Sequence, residues 1–236
     1  MYEIEAKNIC RSFGRRDVLK NINFTLDKGG FLSIFGPNGA GKTTLVKILS
    51  TLLAPSSGEV HISGIKLDDD PTDIRKQIGL ISHQPLLYLD LSALENLEFY
   101  GTLYGVENLK ERAMDLLEQV ELAHRRYDLV RTFSKGMQQR LAIARSLIHR
   151  PSILFLDEPH AGLDPHAMDI LDGLIESVRS DHTFVMVTHN LRKGLDLGSA
   201  AMIIEDGRII FHEEKKDIDE AEFEGVYRGA VRGEVR

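Results

Sequence analysis

Eight residues near the start of the chain, Gly36 to Thr43, read GPNGAGKT, and few stretches restrict a fold as tightly. The glycines and the Lys-Thr pair fall at the spacing G-x-x-x-x-G-K-[ST]. Ahead of them runs FLSIF, Phe31 to Phe35, an apolar run of the kind expected in a strand covered on both faces. Behind them a helical pattern continues, from about Gly41 to Leu52. A strand that feeds a glycine loop and then a helix aims successive backbone N–H groups and the positive helix end at one anion. The expectation is a cradle for the phosphates of a nucleotide. Gly36, Pro37, Asn38, Gly39, Ala40 and Gly41 form its wall, Lys42 bridges the β- and γ-phosphates, the Thr43 hydroxyl holds Mg²⁺, and Thr44 completes the set.

Elsewhere short strand-like runs alternate with helical ones, which predicts an α/β layer fold. Tyr2 to Ile9 and Ile22 to Leu26 alternate apolar and polar residues, as half-buried antiparallel strands do, and Glu59 to Ser63 is a third such stretch. Gln77 to Ser82, Ile153 to Leu156, Phe184 to Val187 and Ala201 to Ile204 read as further strands, and Asp206-Gly207 signals a hairpin. Between them the period changes. Ser92 to Leu122 is helical, with possible capping boxes at Ser92 with Glu95 and at Asn108 with Glu111. A third helix is expected from about Ser134 to His149. The chain therefore reads as one domain. Its α/β core, about 1–84 and 151–212, is a mixed sheet with an antiparallel β subdomain. A helical block occupies about 85–150, and a charged tail of open structure about 213–236.

The 236 residues suffice for one sizeable core, or a core plus a subdomain. The single cysteine, Cys10, excludes an internal disulfide and is expected to be a small apolar filler in a reducing compartment. The net charge of −7 and the lack of a basic stripe argue against a nucleic-acid partner. The opening MYEIEAKNI resembles neither a signal nor a transit peptide, and no apolar run approaches the ~20 residues needed to cross a bilayer. A cytoplasmic chain is expected.

A second chemical feature is ILFLDEP, Ile153 to Pro159, an apolar strand that ends in two acids. Asp157, at the strand end, is placed to accept Mg²⁺ or a water bound to it. Glu158 follows and would act as general base on an attacking water. Pro159 then stops the ladder.

With these pieces in place the chain resembles the nucleotide-binding subunit of an ABC transporter, from about Tyr2 to Phe211. The resemblance implies a P-loop NTPase core with an inserted α-helical signature subdomain, and hydrolysis of ATP with Mg²⁺. It implies that Phe13 stacks on adenine, that Gln84 reaches Mg²⁺ and the attacking water, and that His189 contacts the γ-phosphate. Asp164, in AGLDP, matches the loop that crosses to a second subunit. The segment FSKGMQQR, Phe133 to Arg140, stands where the family signature stands, with Ser134 and Gly136 in register but Lys135 and Met137 in place of a glycine and a glutamine. Ser134, Lys135, Gly136 and Met137 would face the γ-phosphate held by another copy. The implied partners are that copy (or a close relative), with ATP at the interface, and integral membrane transporter subunits. The chain would thus be peripheral on the cytoplasmic face of the membrane.

Within the family, SHQPLLYLDLSALENLEFYGTLYG, Ser82 to Gly105, is similar to the ATP-binding subunit of the haem exporter of cytochrome c maturation. The SKGMQQR segment fits that group and also ABC-2-type exporters of drugs, lipids and polysaccharides. His83, His160, His166 and His212 read as loop or surface residues rather than haem ligands. Leu86, Leu87 and Tyr88 are expected to be exposed anchors for a helix of the membrane subunit. A soluble non-transport ATPase, or a module that binds ATP without turnover, is the competing reading. Glu158 and His189 together argue against the second.

Overall fold

The computed structural model describes residues 2–69, 71–82 and 85–233. The chain opens with β1 (Tyr2–Phe13) and β2 (Arg16–Asp27), an antiparallel pair longer than the alternation predicts. β3 (Phe31–Phe35) leads through the glycine loop into α1 (Lys42–Leu49). Then come β4 (Ser57–Ile62), β5 (Ile65–Lys66), α2 (Pro71–Gln77) and β6 (Ile78–Ile81). The helical run follows as α3 (Ala93–Leu103), α4 (Leu109–Gln119) and α5 (Lys135–Leu147). The chain returns through β7 (Ile153–Asp157), α6 (Pro165–Val178), β8 (Thr183–Val187), α7 (Leu191–Leu197), β9 (Ala200–Glu205), β10 (Arg208–Glu214) and α8 (Glu220–Arg232).

Two sheets result. One is antiparallel, in the order β2-β1-β4-β5; the other has six strands, in the order β10-β9-β3-β8-β7-β6. In the larger sheet only the β9–β10 hairpin is antiparallel. β3, β7 and β8 are buried along their whole length, which explains their unbroken apolar runs. Their register sets Ile34 and Asp157 each beside Val187, so the carboxyl ends of three central strands open on one crevice. That is where open α/β sheets bind ligands.

Three apolar clusters hold the layers. The first fills the space between the two sheets and α1, with Ile4, Ile22, Leu45 and Phe155 inside it. The second lies between the other face of the large sheet and the helices, with Leu97, Leu117, Leu141 and Leu171. The third is smaller, where Phe223 of α8 meets Phe35 and Phe211 edge-on, each at a ring distance of 5.2 Å.

Local chemistry explains where the expected boundaries held and where they moved. The Ser92 box forms in full: the Ser92 N–H donates to Glu95 Oε2 at 2.7 Å and the Glu95 N–H to Ser92 Oγ at 3.2 Å. The Asn108 box does not form, because Asn108 is left-handed (φ 49°) and its side chain caps nothing. The turn must be tight there, since Leu109 packs directly on Gly101, where a Cβ would overlap its side chain. α1 stops at Leu49 rather than near Leu52. Thr51 takes φ 62° and the Leu52 N–H bonds back to the Lys47 carbonyl at 2.8 Å, a helix stop of Schellman type without the usual glycine. Cys10 is no mere filler: its Sγ accepts the Asn21 N–H at 3.3 Å beside a register shift in the β1–β2 pair.

A candidate nucleotide and hydrolysis site

The glycine loop has its shape because only glycine fits it at two points. Gly36 has φ 143°, and a Cβ there would lie 2.0 Å from the Ile204 carbonyl oxygen; Gly41 has φ 106° and would collide with Leu19 and the Val18 carbonyl. The loop thus presses against β9 on one side and β2 on the other. Lys42 is buried and hooks back across it, donating to the carbonyls of Gly36 at 2.7 Å and Pro37 at 2.9 Å. Burial pushes the Lys42 ammonium pKa down, and Glu158 and Asp157 oppose that shift. The first turn of α1 carries no acid, so nothing cancels its positive end.

Asp157 reaches the crevice from the end of β7 and accepts the Thr43 hydroxyl at 3.1 Å. Glu158, the next residue, has φ 52°, and its N–H bonds to the Val187 carbonyl at 3.0 Å. This left-handed step turns its side chain into the crevice. Glu158 Oε1 comes within 3.1 Å of His189 Nε2, yet it is buried without a hydrogen bond of good geometry. Burial raises the Glu158 pKa; Lys42 pulls it back and Asp157 adds to the rise. Burial, helped by Lys42, lowers that of His189, so the pair is not a fixed ion pair at neutral pH. The cavity here is about 320 Å³, lined by Asn38, Gly39, the run from Gly41 to Thr44, Glu158, Val187 and His189, together with Arg16 and Val18.

The signature residues sit elsewhere. Ser134 caps α5, its Oγ accepting the Met137 N–H at 3.2 Å, and Lys135 is exposed. Gly136 lies so near the Asp164 loop that a Cβ would come within 3.3 Å of Asp164 Oδ2. Asp164 caps α6 by accepting the Ala167 N–H at 2.9 Å. None of Ser134, Lys135, Gly136, Met137 and Asp164 lines the Lys42 cavity. The predicted residues fall into two groups on one chain.

The sequence model of the ABC transporter family matches residues 19–161. This chain belongs to that family. It is 38% identical over 212 residues to the lantibiotic transport ATP-binding protein SrtF of Streptococcus pyogenes, covering 89% of this chain and 90% of that one. It is 34% identical over 218 residues to the linearmycin resistance ATP-binding protein LnrL of Bacillus subtilis, covering 91% and 70%. A solved dimeric ATP-binding cassette in a post-hydrolysis state, bound to ADP and phosphate, superposes with a TM-score of 0.83 at 31% identity, over 91% of this chain and all of that one. The chain is therefore the ATP-binding subunit of an ABC transporter and an ATP hydrolase.

In this ABC ATPase the residues near Thr43 suit magnesium. A hydroxyl and a carboxylate in contact are hard oxygen donors, and Mg²⁺ takes few protein ligands when a triphosphate brings its own oxygens. Among the described residues no group of three or more His, Cys, Asp or Glu side chains could hold a metal alone. Gln84, expected to reach the same ion, lies outside the described residues. Phe13 is 48% exposed beneath the Arg11 guanidinium, 4.6 Å from its ring centre, and is not part of the cavity lining. The lining residues that sequence reading missed are Val187, at the end of β8, and the pair Arg16 and Val18 on β2. A basic residue three positions beyond that aromatic was the only signal for the pair.

Proposed function

We propose that this ATPase powers export through membrane-spanning subunits, with each ATP held between two copies. The observation that carries this reading is the separation of the two residue groups. The Lys42 crevice has a phosphate cradle and a base but no signature residue, and the Ser134 helix end has a hydroxyl and free donors but no phosphate loop of its own. A head-to-tail pair would bring one group against the other, with Ser134, Lys135, Gly136 and Met137 of one copy toward the γ-phosphate held by Lys42 of its mate. Asp164 would lie at that seam.

In the paired site Lys42 would exchange its two loop carbonyls for β- and γ-phosphate oxygens. Thr43 and Asp157 would hold Mg²⁺, which neutralises charge on those phosphates. Glu158 would take the proton of the attacking water; an anion poised beside a neutral imidazole suits that task. His189 would hydrogen-bond the γ-phosphate, and Phe13 would stack on the adenine at the mouth. The test is Glu158→Gln, which keeps shape and removes basicity. ATP affinity should stay within about twofold while turnover falls at least a hundredfold. Near-normal turnover removes Glu158 from the role.

For cargo we infer a drug-like or peptide antibiotic, because SrtF and LnrL are named for a lantibiotic and for linearmycin. The Ser82 to Gly105 stretch supports haem export for cytochrome c maturation as the second reading. Normal cytochrome c assembly in a deletion strain sinks it. For the membrane partner, Leu86, Tyr88 and Leu89 are the proposed contacts, at 43%, 48% and 48% exposure. Leu87, expected beside them, instead packs against the helical core. Asn96 braces the loop, accepting the Tyr88 N–H and donating to its carbonyl, each at 2.9 Å. Changing Leu86 and Tyr88 together to Asp should leave nucleotide binding intact and release the protein from membranes holding its partners. Undiminished co-purification with those subunits refutes the contact.

A further inference from the structure

Two residues beyond Glu158 the chain carries a histidine that the chemistry above does not use. His160 Nε2 lies 2.8 Å from Asp172 Oδ1 on α6. The other oxygen of the same carboxylate, Asp172 Oδ2, is 2.5 Å from Lys193 Nζ on α7. Both arms are shielded: the side chains of His160, Asp172 and Lys193 are 14%, 33% and 27% exposed. Lys193 stands in the first turn of a helix that starts two residues after His189. Its backbone N–H is held by the Asn190 side chain at 3.0 Å, and the Asn190 N–H in turn by Thr188 Oγ1 at 3.1 Å. One carboxylate therefore ties the loop after Glu158 to the helix after His189.

We propose that Asp172 is a positioning residue for hydrolysis: through His160 and Lys193 it fixes the distance between the Glu158 loop and the His189 turn across the γ-phosphate crevice. The inference rests on the roles given above to Glu158 and His189. Glu158 needs such support. A non-glycine residue at φ 52° persists only where its surroundings over-determine it, and the loop beyond it has few other ties. Among the described residues its backbone ties are the Glu158 N–H to the Val187 carbonyl, the Ala161 N–H to the Glu158 carbonyl and the Leu163 N–H to that of His160, and none of these holds the loop to the helix after His189. Misplacing a reacting group by about 1 Å can cost a hundredfold in rate. Burial keeps the imidazole toward its neutral form, against the pull of Asp172, so the arm to the carboxylate is an N–H donor and not a surface charge pair. His166, by contrast, meets Glu121 with both side chains more than half exposed.

The test uses full-length protein with ATP and measures kcat, KM and nucleotide affinity for His160→Ala, Lys193→Met, the double variant and His160→Gln. Each single loss should lower kcat about tenfold with KM and affinity held within about twofold. Because both arms end on one carboxylate, the double variant should be little worse than either single. His160→Gln, whose amide nitrogen can stand where Nε2 stood, should recover most of the rate. Should His160→Ala fail to fold, Lys193→Met still decides, since Lys193 is the more exposed of the two arms and methionine keeps its apolar stem. Wild-type kcat in Lys193→Met, a rise in KM alone, or losses that multiply in the double variant overturn the proposal. Failure of Glu158→Gln to slow turnover would remove the base instead and leave the kcat pattern of the bridge to be read by itself.

Discussion

At the scale of single residues the site is bought with backbone strain at Glu158. Its left-handed conformation costs roughly 1–2 kcal/mol in an L-residue, and its inner carboxylate oxygen is buried without a good hydrogen bond. Replacement by glycine should relieve the backbone cost, whereas alanine keeps it. Glu158→Gly should thus be the more stable of the two by about 1 kcal/mol, read as a higher urea midpoint than that of Glu158→Ala. Equal midpoints would mean that the turn is unstrained. The acid pair, the lysine and the loop glycines were legible in the sequence because their chemistry demands those residue types in contiguous order. Arg16 and Val18 were not, since a neighbouring hairpin brings them to the crevice and no local pattern records that. Leu87 was misread for a related reason: alternate residues of an irregular loop face opposite ways, so one apolar run serves both core and surface.

Among the elements, α5 and the residues just beyond it join the helical block to the large sheet. Arg145 donates to the Leu80 carbonyl at 2.7 Å and lies over the Tyr100 ring, whose hydroxyl donates to the Leu86 carbonyl at 2.7 Å. His149 stacks on Tyr104 at 4.0 Å and holds the Ile78 carbonyl at 2.9 Å through Nε2, while its Nδ1 is buried and unpartnered. A proton on Nδ1 would be a buried charge near Arg145. Burial, with Arg145 reinforcing and the Ile78 bond opposing, accordingly holds the His149 pKa below its ordinary 6.5. The unfolded chain takes up that proton first, so stability present above about pH 6.5 drains away as the pH falls through it toward the lower folded value. His149→Gln keeps a donor for Ile78 and cannot titrate. Its unfolding free energy should fall less steeply than wild type between pH 7.5 and 5.5 in urea titrations, and an unchanged slope excludes the effect. Ser92 was readable as a cap because its box lies within four residues. α8 was not read, although Phe223, Val226, Tyr227 and Ala230 follow helical spacing, because charges between them dilute the apolar signal.

For the molecule as a whole, nucleotide and association must be linked if ATP lies at the seam between two copies. Wild-type protein without nucleotide should run largely as a monomer, and Glu158→Gln with ATP should move to a dimer on a sizing column. Ser134→Arg should abolish that move by setting bulk against the γ-phosphate of the other copy. A dimer equally populated with and without ATP would contradict the shared site.

Phe35, the residue before the phosphate loop, is covered by Phe223, while Tyr227 stands edge-on to it at 6.4 Å. In time these partners are far apart. A ribosome reaches Phe223 some 190 residues after Phe35, which at 5–20 residues per second is roughly 10–40 s. α7, whose Gly194 lies against Phe35, arrives some 30 residues before Phe223, so for most of that interval the strand leading into the glycine loop lacks its cover on this side. During synthesis, then, the nascent chain offers chaperones a sticky face behind the glycine loop, and that loop gains its final backing only when α8 arrives.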